Sequence, residues 1–356
     1  MSVKVLVSVL SLLVIYALTN SCSKSASSST PPIDSTANSP NDTISIIIYI
    51  GGDTTIGSDA NAAYWKNGLM TKLPIGPISS ASCIYVNNND VYITAPGSYS
   101  ADSVSYWKNN QAITLPDTLG VRSPCAALTI SGGDVYATGT EGEYPYRNAG
   151  VVYWKNNDYG VHPVPLAVPL HVSSGRAIAV SNGDVYIAGY LDSQAVYWKN
   201  GIVVPLTIDT VLVPQKYSIA NSVCINQGNV YVAGTINLFP GRLPDPASIA
   251  TYWKNNTLVR LTRDTGSVAN AIVVSGNDIY VAGGIFGGGG VTRAAYWKNG
   301  KLFLLNSNYS VANAIAVYGT DVFIAGTVGD QATYWKNGLP VSLGPGHAHS
   351  IFIVHK

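Results

Sequence analysis

Five polar residues that open apolar runs are the candidates for ligand binding in this chain. Amide, guanidinium and imidazole groups make the hydrogen bonds by which proteins hold polar molecules such as sugars. If these equivalent positions of a repeat meet around one axis, they line a polar pit, and the sequence predicts that this pit binds a polar ligand. Bound water is the alternative occupant. The five candidates are Arg176, Asn221, Asn270, Asn313 and His349.

Other residues suggest two further chemistries. His347 and His349 would share one face of a strand and could bind a metal, but the spacing defines no third ligand. A glycoside hydrolase or lyase would need two carboxylates about 5–10 Å apart. No Ser-His-Asp order, phosphate loop or metal-spaced Cys cluster occurs, so we assign no catalytic residue, no metal and no cofactor. The candidate carboxylates are Asp53, Asp102, Glu141, Asp192, Asp245 and Asp330.

The candidates lie within a repeated unit. The tetrapeptide Tyr-Trp-Lys-Asn occurs seven times and contains all 7 Trp of the chain. A period of about 40–50 residues is typical of β-propeller blades. The copies begin at Tyr64, Tyr106, Tyr153, Tyr197, Tyr252, Tyr296 and Tyr334.

Each repeat contains four runs that we predict to be strands. In one repeat they are Ala312–Val317, Asp321–Gly326, Ala332–Lys336 and Leu339–Leu343. Asn-Gly or Asn-Asn follows the third run and predicts a tight hairpin turn. Adjacent Tyr and Trp point to opposite faces of a strand, so the third strand should be buried on both sides, as it is between stacked blades.

The second run of most repeats begins with Asp in an Asp-Val-Tyr pattern. A ring of carboxylates would be the functional interpretation. We favour a structural role, in which each Asp bonds the backbone of its own turn. These residues are Asp90, Asp134, Asp184, Asp278 and Asp321.

The two ends of the repeat region are incomplete in complementary ways. Ile47–Gly52 matches a second run without a first, and Ala348–Val354 matches a first run without a second. Pairing of these runs would complete a blade and remove free sheet edges. The sequence therefore predicts an all-β, seven-bladed β-propeller with four antiparallel strands per blade, closed by the C-terminal strand.

Composition narrows the classes of partner. Charged residues make up 11% of the chain and the net charge is +1, which leaves no basic stripe for a nucleic acid. Cys83, Cys125 and Cys224 occupy one face of equivalent strands and should be small buried thiols, with a metal or redox role as the alternative.

The N-terminus has the pattern of an export signal. Residues 1–22 contain Lys4, an apolar run too short to span a bilayer, and Cys22. This resembles a bacterial lipoprotein signal, which implies lipidation of Cys22, although Thr19 stands where that signal usually has Leu. Ordinary cleavage or an unprocessed anchor is the alternative. Residues 23–42 are rich in Ser and Pro and predict a disordered tether, and residues 43–356 form the propeller.

The repeats resemble a group of bacterial extracellular propeller proteins that carry a His-Ala-Phe signature. The corresponding pieces are Ile324–Gly326, Tyr334–Gly338, Leu343 and Ala312–Ile315. Ala, Val or Thr followed by Tyr-Trp replaces the His-Ala-Phe signature in this chain. The resemblance implies a surface-exposed propeller lipoprotein and adds little about function, because that group is largely uncharacterised.

The connections between runs differ in length. Those from first to second and from third to fourth run are short, whereas the others are long and irregular, as at Gly139–Gly150, Thr235–Ser248 and Gly284–Arg293. Antiparallel order places the long connections at one end, where variable loops on a rigid scaffold form a binding surface. We expect a monomeric outer-membrane lipoprotein, on the periplasmic or cell-surface side, that binds a polysaccharide or protein there and touches the membrane only through its lipid. One alternative is that these loops have no binding role. The other is that the protein is a carbohydrate-active hydrolase or lyase.

Overall fold

A computed structural model describes residues 46–56, 59–76, 79–95, 104–115, 125–143, 147–156, 164–165, 172–208, 217–237, 248–263, 266–287, 292–305 and 309–355. The predicted signal, Cys22 and the tether lie outside these residues. Within the described ranges, no helix is long and apolar enough to cross a membrane.

The described residues form β-strands joined by turns and short connections. The first fifteen strands are β1 (Ile46–Ile56), β2 (Asp59–Lys66), β3 (Leu69–Lys72), β4 (Cys83–Asn87), β5 (Asp90–Thr94), β6 (Val104–Lys108), β7 (Gln111–Thr114), β8 (Cys125–Ser131), β9 (Asp134–Glu143), β10 (Arg147–Lys155), β11 (Val164–Pro165), β12 (Ser173–Ser181), β13 (Asp184–Leu191), β14 (Gln194–Lys199) and β15 (Ile202–Pro205). They are followed by β16 (Tyr217–Asn226), β17 (Asn229–Asn237), β18 (Ser248–Lys254), β19 (Thr257–Arg260), β20 (Ser267–Ser275), β21 (Asp278–Phe286), β22 (Thr292–Lys298), β23 (Lys301–Leu304), β24 (Ser310–Tyr318), β25 (Asp321–Val328), β26 (Gln331–Lys336) and β27 (Leu339–His355).

These strands build antiparallel sheets that repeat along the chain, as in a β-propeller. Among the described residues, five sheets have four strands each, β4–β7, β8–β11, β12–β15, β16–β19 and β20–β23. A further sheet has the order β24-β25-β26-β27-β1-β2-β3. It is continuous because the long strand β27 pairs with β26 through its first half and with β1 through its second half.

The sheets pack through their first strands. We call β4, β8, β12, β16, β20, β24 and the second half of β27 the inner strands. Each inner strand contacts the inner strand of the sheet before and after it, and β27 contacts β4. In the seam between the chain ends, Ile48 lies opposite Ile353 and Ile50 opposite Ile351.

Burial of the motif aromatics explains why the third strand carries two large side chains. All seven Trp are at most 5% exposed, which confirms that they pack between sheets. The neighbouring Tyr side chains are buried or partly buried on the opposite face of the strand. The third strand is therefore covered on both sides.

The motif Asn links the third strand to the second. In all seven repeats its side-chain oxygen accepts a hydrogen bond of 2.8–2.9 Å from a backbone N–H of the second strand. Each Asn has a positive φ, which is the left-handed conformation that an Asn-Gly turn needs. The seven residues are Asn67, Asn109, Asn156, Asn200, Asn255, Asn299 and Asn337.

The Asp of the second run bonds this motif, whereas the sequence suggested a bond to the backbone of its own turn. In five repeats one carboxylate oxygen accepts the motif Asn amide at 2.6–2.8 Å. The other oxygen pairs with the motif Lys at 2.8–3.0 Å. The reason is antiparallel pairing, which places the end of the third strand beside the start of the second. The role of these Asp residues is structural.

The two ends of the sheets differ in their connections. The short-turn face contains the first-to-second and third-to-fourth turns with their repeated Asn, Asp and Lys contacts. The long-loop face is the opposite end, where second strands end and inner strands begin. One contact recurs there in five repeats, in which a Ser oxygen at or just before an inner strand accepts a hydrogen bond from a backbone N–H of the third strand of the preceding sheet. Other positions differ, such as Asp53 where other second strands have Thr235 or Thr327.

Candidate ligand-binding site

The five predicted binding residues, which we call the axial residues, sit on β-bulges. The sequence placed each at the opening of a first strand, but the structure places each inside an inner strand as the extra, unpaired residue. The pairing register shifts around Arg176, Asn221, Asn270, Asn313 and His349. Alternation of apolar residues does not reveal a bulge, because a bulge adds one residue and re-aims its side chain.

A glycine on the second strand makes room for each bulge. A Cβ atom at this glycine would collide with a backbone carbonyl oxygen of the paired inner strand; at Gly283 that oxygen belongs to Val268. This explains the Ala-Gly ending of the second run. The same contact occurs at Gly52, Gly189, Gly234 and Gly326.

The three axial asparagines connect neighbouring sheets. The Nδ2 group of Asn221 donates to the carbonyl of Ala269, at 2.9 Å. Asn270 donates in the same way to Ala312 at 2.9 Å, and Asn313 to Ala348 at 2.8 Å. Each acceptor lies just before the next bulge, and each Asn is at most 7% exposed. These amides therefore tie the inner strands together, and their role in ligand binding stays a prediction.

Arg176 extends this series. Its Nη1 donates to Asn221 Oδ1 at 3.4 Å, and its guanidinium lies over the ring of Tyr190, with 5.9 Å to the centroid. Burial lowers the pKa of Arg176. The guanidinium is therefore held against an aromatic face next to the row of amides.

His349 departs from the pattern. Its Nε2 is 3.0 Å from Oδ2 of Asp53, on the strand paired with its own. His347 Nδ1 is 2.8 Å from Oδ1 of the same carboxylate, and Ser80 Oγ donates to Oδ2 at 2.9 Å. We call Asp53, Ser80, His347 and His349 the seam cluster, because it joins β1, β27 and the segment that leads into β4.

The carboxylate at the centre of the seam cluster is buried and ionised. Asp53 is 3% exposed. Burial tends to raise the pKa of Asp53, but hydrogen bonds from His347 and His349, together with their charges, outweigh burial and hold it well below its usual value. The bond to Asp53 in turn raises the pKa of His347, aided by the charges of Asp53 and Asp330 and opposed by burial.

Geometry also sets the tautomer of His347. An ionised carboxylate can only accept, so Nδ1 of His347 donates to Asp53, and Nε2 of the neutral ring is left as an acceptor. The His347 side chain is 46% exposed. The seam cluster thus presents an oriented imidazole to solvent at the long-loop face.

Sequence reasoning had named Asp53 and the two histidines separately and missed that they meet. The pairing of Ile48 with Ile353, continued without interruption, would place Asp53 opposite Ala348. The bulge at His349 shifts the register so that Asp53 lies opposite His347. The available signal was a lone Asp where other second strands have Thr235 or Thr327.

The seam cluster should make stability depend on pH. Asp53 contributes above the ordinary Asp pKa and loses its contribution only as the pH falls through its lowered value. His347 contributes fully below the ordinary His pKa and loses its contribution as the pH rises through its raised value. We expect the cluster to stabilise the protein most between about pH 4 and pH 6.5.

Denaturant titrations of the wild type and His347→Gln at pH 5.5 and 8.5 measure this. The wild type should lose more of its unfolding free energy between the two pH values than the variant does. Equal losses would show that the pH dependence arises elsewhere, since Asp53, His349 and Asp330 remain in both proteins.

The remaining predictions concern the cysteines, a metal site and the candidate carboxylates. Cys83 and Cys125 are buried free thiols, and Cys224 is half-buried. Burial raises the pKa of Cys125, and raises that of Cys224 to about 11. Among the described residues, no group of three or more His, Cys, Asp or Glu could hold a metal ion. Asp102, Asp245 and the side chain of Glu141 lie outside the described residues.

Comparison with known proteins gives similarity in structure only. No protein-family model and no curated protein matches the chain. The WD40 β-propeller domain of Doa1 has 14% identity and a TM-score of 0.48, covering 77% of this chain and 86% of that one. A quinonprotein alcohol dehydrogenase-like protein from Bacteroides thetaiotaomicron has 13% identity and a TM-score of 0.47, covering 85% and 77%. The polysaccharide lyase Uly1 has 11% identity and a TM-score of 0.47, covering 95% and 96%. These scores are low, and no function follows from them.

Proposed function

We propose that the chain is an exported, lipid-anchored, seven-bladed β-propeller that binds a glycan or a protein through its long-loop face. Two observations support the blade count and the closure. The sheet that contains β24–β27 and β1–β3 has the strands of two four-stranded blades, with β27 serving both. The inner strands contact one another in succession, including β27 with β4.

The asymmetry between the two faces carries the binding proposal. At the short-turn face the same Asn contact recurs in seven repeats. At the long-loop face the equivalent bulge positions hold Arg176, Asn221, Asn270, Asn313 and His349. The three asparagines repeat one contact between sheets, whereas Arg176, His349 and the seam cluster are particular to one sheet. Contacts that recur serve the fold, and residues particular to one sheet are available for recognition.

Site-directed cross-linking tests the proposal. A benzophenone attached to Gln194→Cys, at the exposed start of β14, should cross-link the ligand in cells. The same probe at Thr320→Cys, in an exposed turn of the short-turn face, is the control. Cross-linking only from Thr320→Cys would contradict the assignment of the face.

A carbohydrate-active hydrolase or lyase is the second candidate. The observation in its favour is that the negative charges of Asp53 and Asp330 both raise the pKa of His347. Because its pKa is lowered, Asp53 would orient His347 as a base and would not donate a proton itself. Release of reducing ends or unsaturated sugars from a polysaccharide panel, lost in His347→Gln, would favour the enzyme over the binding module.

The anchor is proposed from the sequence pattern at Cys22 and places the protein in the outer membrane, facing the periplasm or the cell surface. Labelled palmitate should enter the wild type and not Cys22→Ala. Equal labelling of both would refute this anchor and leave the binding proposal standing.

A further inference from the structure

Three segments of the chain meet at the long-loop face beside the seam cluster. The backbone N–H of Gly329 donates to the carbonyl of Tyr309 at 2.7 Å, and that of Gly346 donates to the carbonyl of Asp330 at 2.9 Å. Asp330 follows Gly329 directly, and His347 follows Gly346. Two backbone hydrogen bonds therefore link the segments that carry Tyr309, Asp330 and His347 one to the next.

Tyr309 is an exposed aromatic residue in an unfavourable backbone conformation. Tyr309 is 70% exposed. Its φ is 45°, in the left-handed region that residues with large side chains rarely adopt. Both features are unfavourable: the exposed ring gives up the stabilisation that burial would provide, and the left-handed backbone is strained for a residue with a Cβ atom. The carbonyl of Tyr309 accepts the hydrogen bond from Gly329.

The exposed side chains of the segments linked to Tyr309 are polar. Asp330 and Gln331 are exposed, and the imidazole of His347 is half exposed. A carboxylate accepts hydrogen bonds from adjacent hydroxyl groups, an amide both donates and accepts, and the outer nitrogen of His347 can do either according to its charge. Most other exposed large apolar residues in the described ranges lie on the fourth strands, at Leu69, Met70, Ile202, Leu302, Leu304, Leu339 and Val341.

We propose that Tyr309, Asp330, Gln331 and His347 form a subsite for a neutral saccharide, which we call the Tyr309 subsite. A sugar ring stacks on Tyr309, and its hydroxyl groups bond Asp330, Gln331 and His347. This rests on the proposed binding function and narrows its ligand to a glycan.

Charge and shape favour this ligand over the others. The carboxylate of Asp330 would repel a uronic acid or a sulfated sugar, and the charge of His347 is already offset by Asp53. A protein–protein interface usually has apolar residues around an aromatic residue at its centre. The segments linked to Tyr309 instead expose Asp330, Gln331 and His347, which suits a ring with one apolar face and a rim of hydroxyl groups.

Binding of the full-length protein to defined polysaccharides tests the subsite. The probes are neutral polymers (a β-glucan, a mannan and a xylan) and acidic ones (an alginate and a sulfated galactan). Titration calorimetry should detect a neutral polymer, and Tyr309→Ala should weaken that binding by about tenfold, the effect of one aromatic contact. Tyr309→Phe keeps the ring and should bind like the wild type.

Further variants distinguish loss of the Tyr309 subsite from a general loss of folding or binding. Asp330→Asn should weaken binding of the neutral polymer and reduce the discrimination against the acidic ones, because it removes the charge that repels them. Ile202→Ala, which removes a residue of similar exposure at the edge of another sheet, should change nothing.

Several results would overturn the inference. They are selective binding of acidic polymers, unchanged binding by Tyr309→Ala, and no binding of any polymer. If no polymer binds but Gln194→Cys still cross-links a protein at the long-loop face, the subsite is wrong and the proposed function stands. If that cross-link is also absent, both fail.

Discussion

Replacing Asp53 with alanine should lower the free energy of unfolding by about 3 kcal/mol, the lower end of the range for breaking a buried ion pair. Asp53 is almost completely buried and is within 3.0 Å of His347, His349 and Ser80. Its removal leaves three polar groups without their shared acceptor. The loss is limited because the half-exposed His347 can turn to water.

Denaturant titration at pH 6 measures this effect, with Asp330→Ala as the control. Asp330 is also acidic and near His347, but it is exposed. We expect a change within about 0.5 kcal/mol for the control, as for most surface substitutions. If the two variants lose the same stability, the seam cluster does not hold the chain ends together.

The second large effect should come from a single added methyl group at Gly283. A Cβ there would overlap the carbonyl oxygen of Val268 and approach Ala269, both on the paired inner strand. Backbone cannot rotate away as a side chain can, so the bulge at Asn270 must shift. We expect Gly283→Ala to cost more than about 2 kcal/mol, in the upper part of the range for overpacking.

The adjacent glycine supplies a matched control. A Cβ at Gly284 would have its nearest neighbours at 3.3 Å, a tight contact that small shifts can relieve. Thermal unfolding should therefore show a much smaller loss for Gly284→Ala than for Gly283→Ala. Similar losses would mean that glycine itself, and not room for the bulge, is what this strand needs.

The bulges also bear on the axial residues. The sequence predicts Asn221, Asn270 and Asn313 to be ligand-binding amides because of their type and repeated position. The structure shows that each donates to a carbonyl of the neighbouring inner strand. One residue type at repeated positions can therefore serve the fold in successive sheets, and departures such as His349 are better guides to function.

Patterns that recur in every repeat were readable without coordinates. The Tyr-Trp-Lys-Asn motif predicted a doubly covered third strand, and all seven Trp are buried. The Asn-Gly turns, the strand order and the match between the two chain ends also follow from local spacing. These features depend on period-two alternation and on turn chemistry, which act over a few residues.

The contacts that make one sheet different came only from tertiary structure. The partner of Asp53 lies 294 residues away in sequence, and a one-residue bulge decides whether it is His347 or Ala348. The segments of Tyr309, Asp330 and His347 come together because backbone hydrogen bonds link one to the next. Sequence alone therefore determined the repeating sheet, because its rules are local. Folding decided the seam cluster and the Tyr309 subsite, because register and chain-end pairing act over long range.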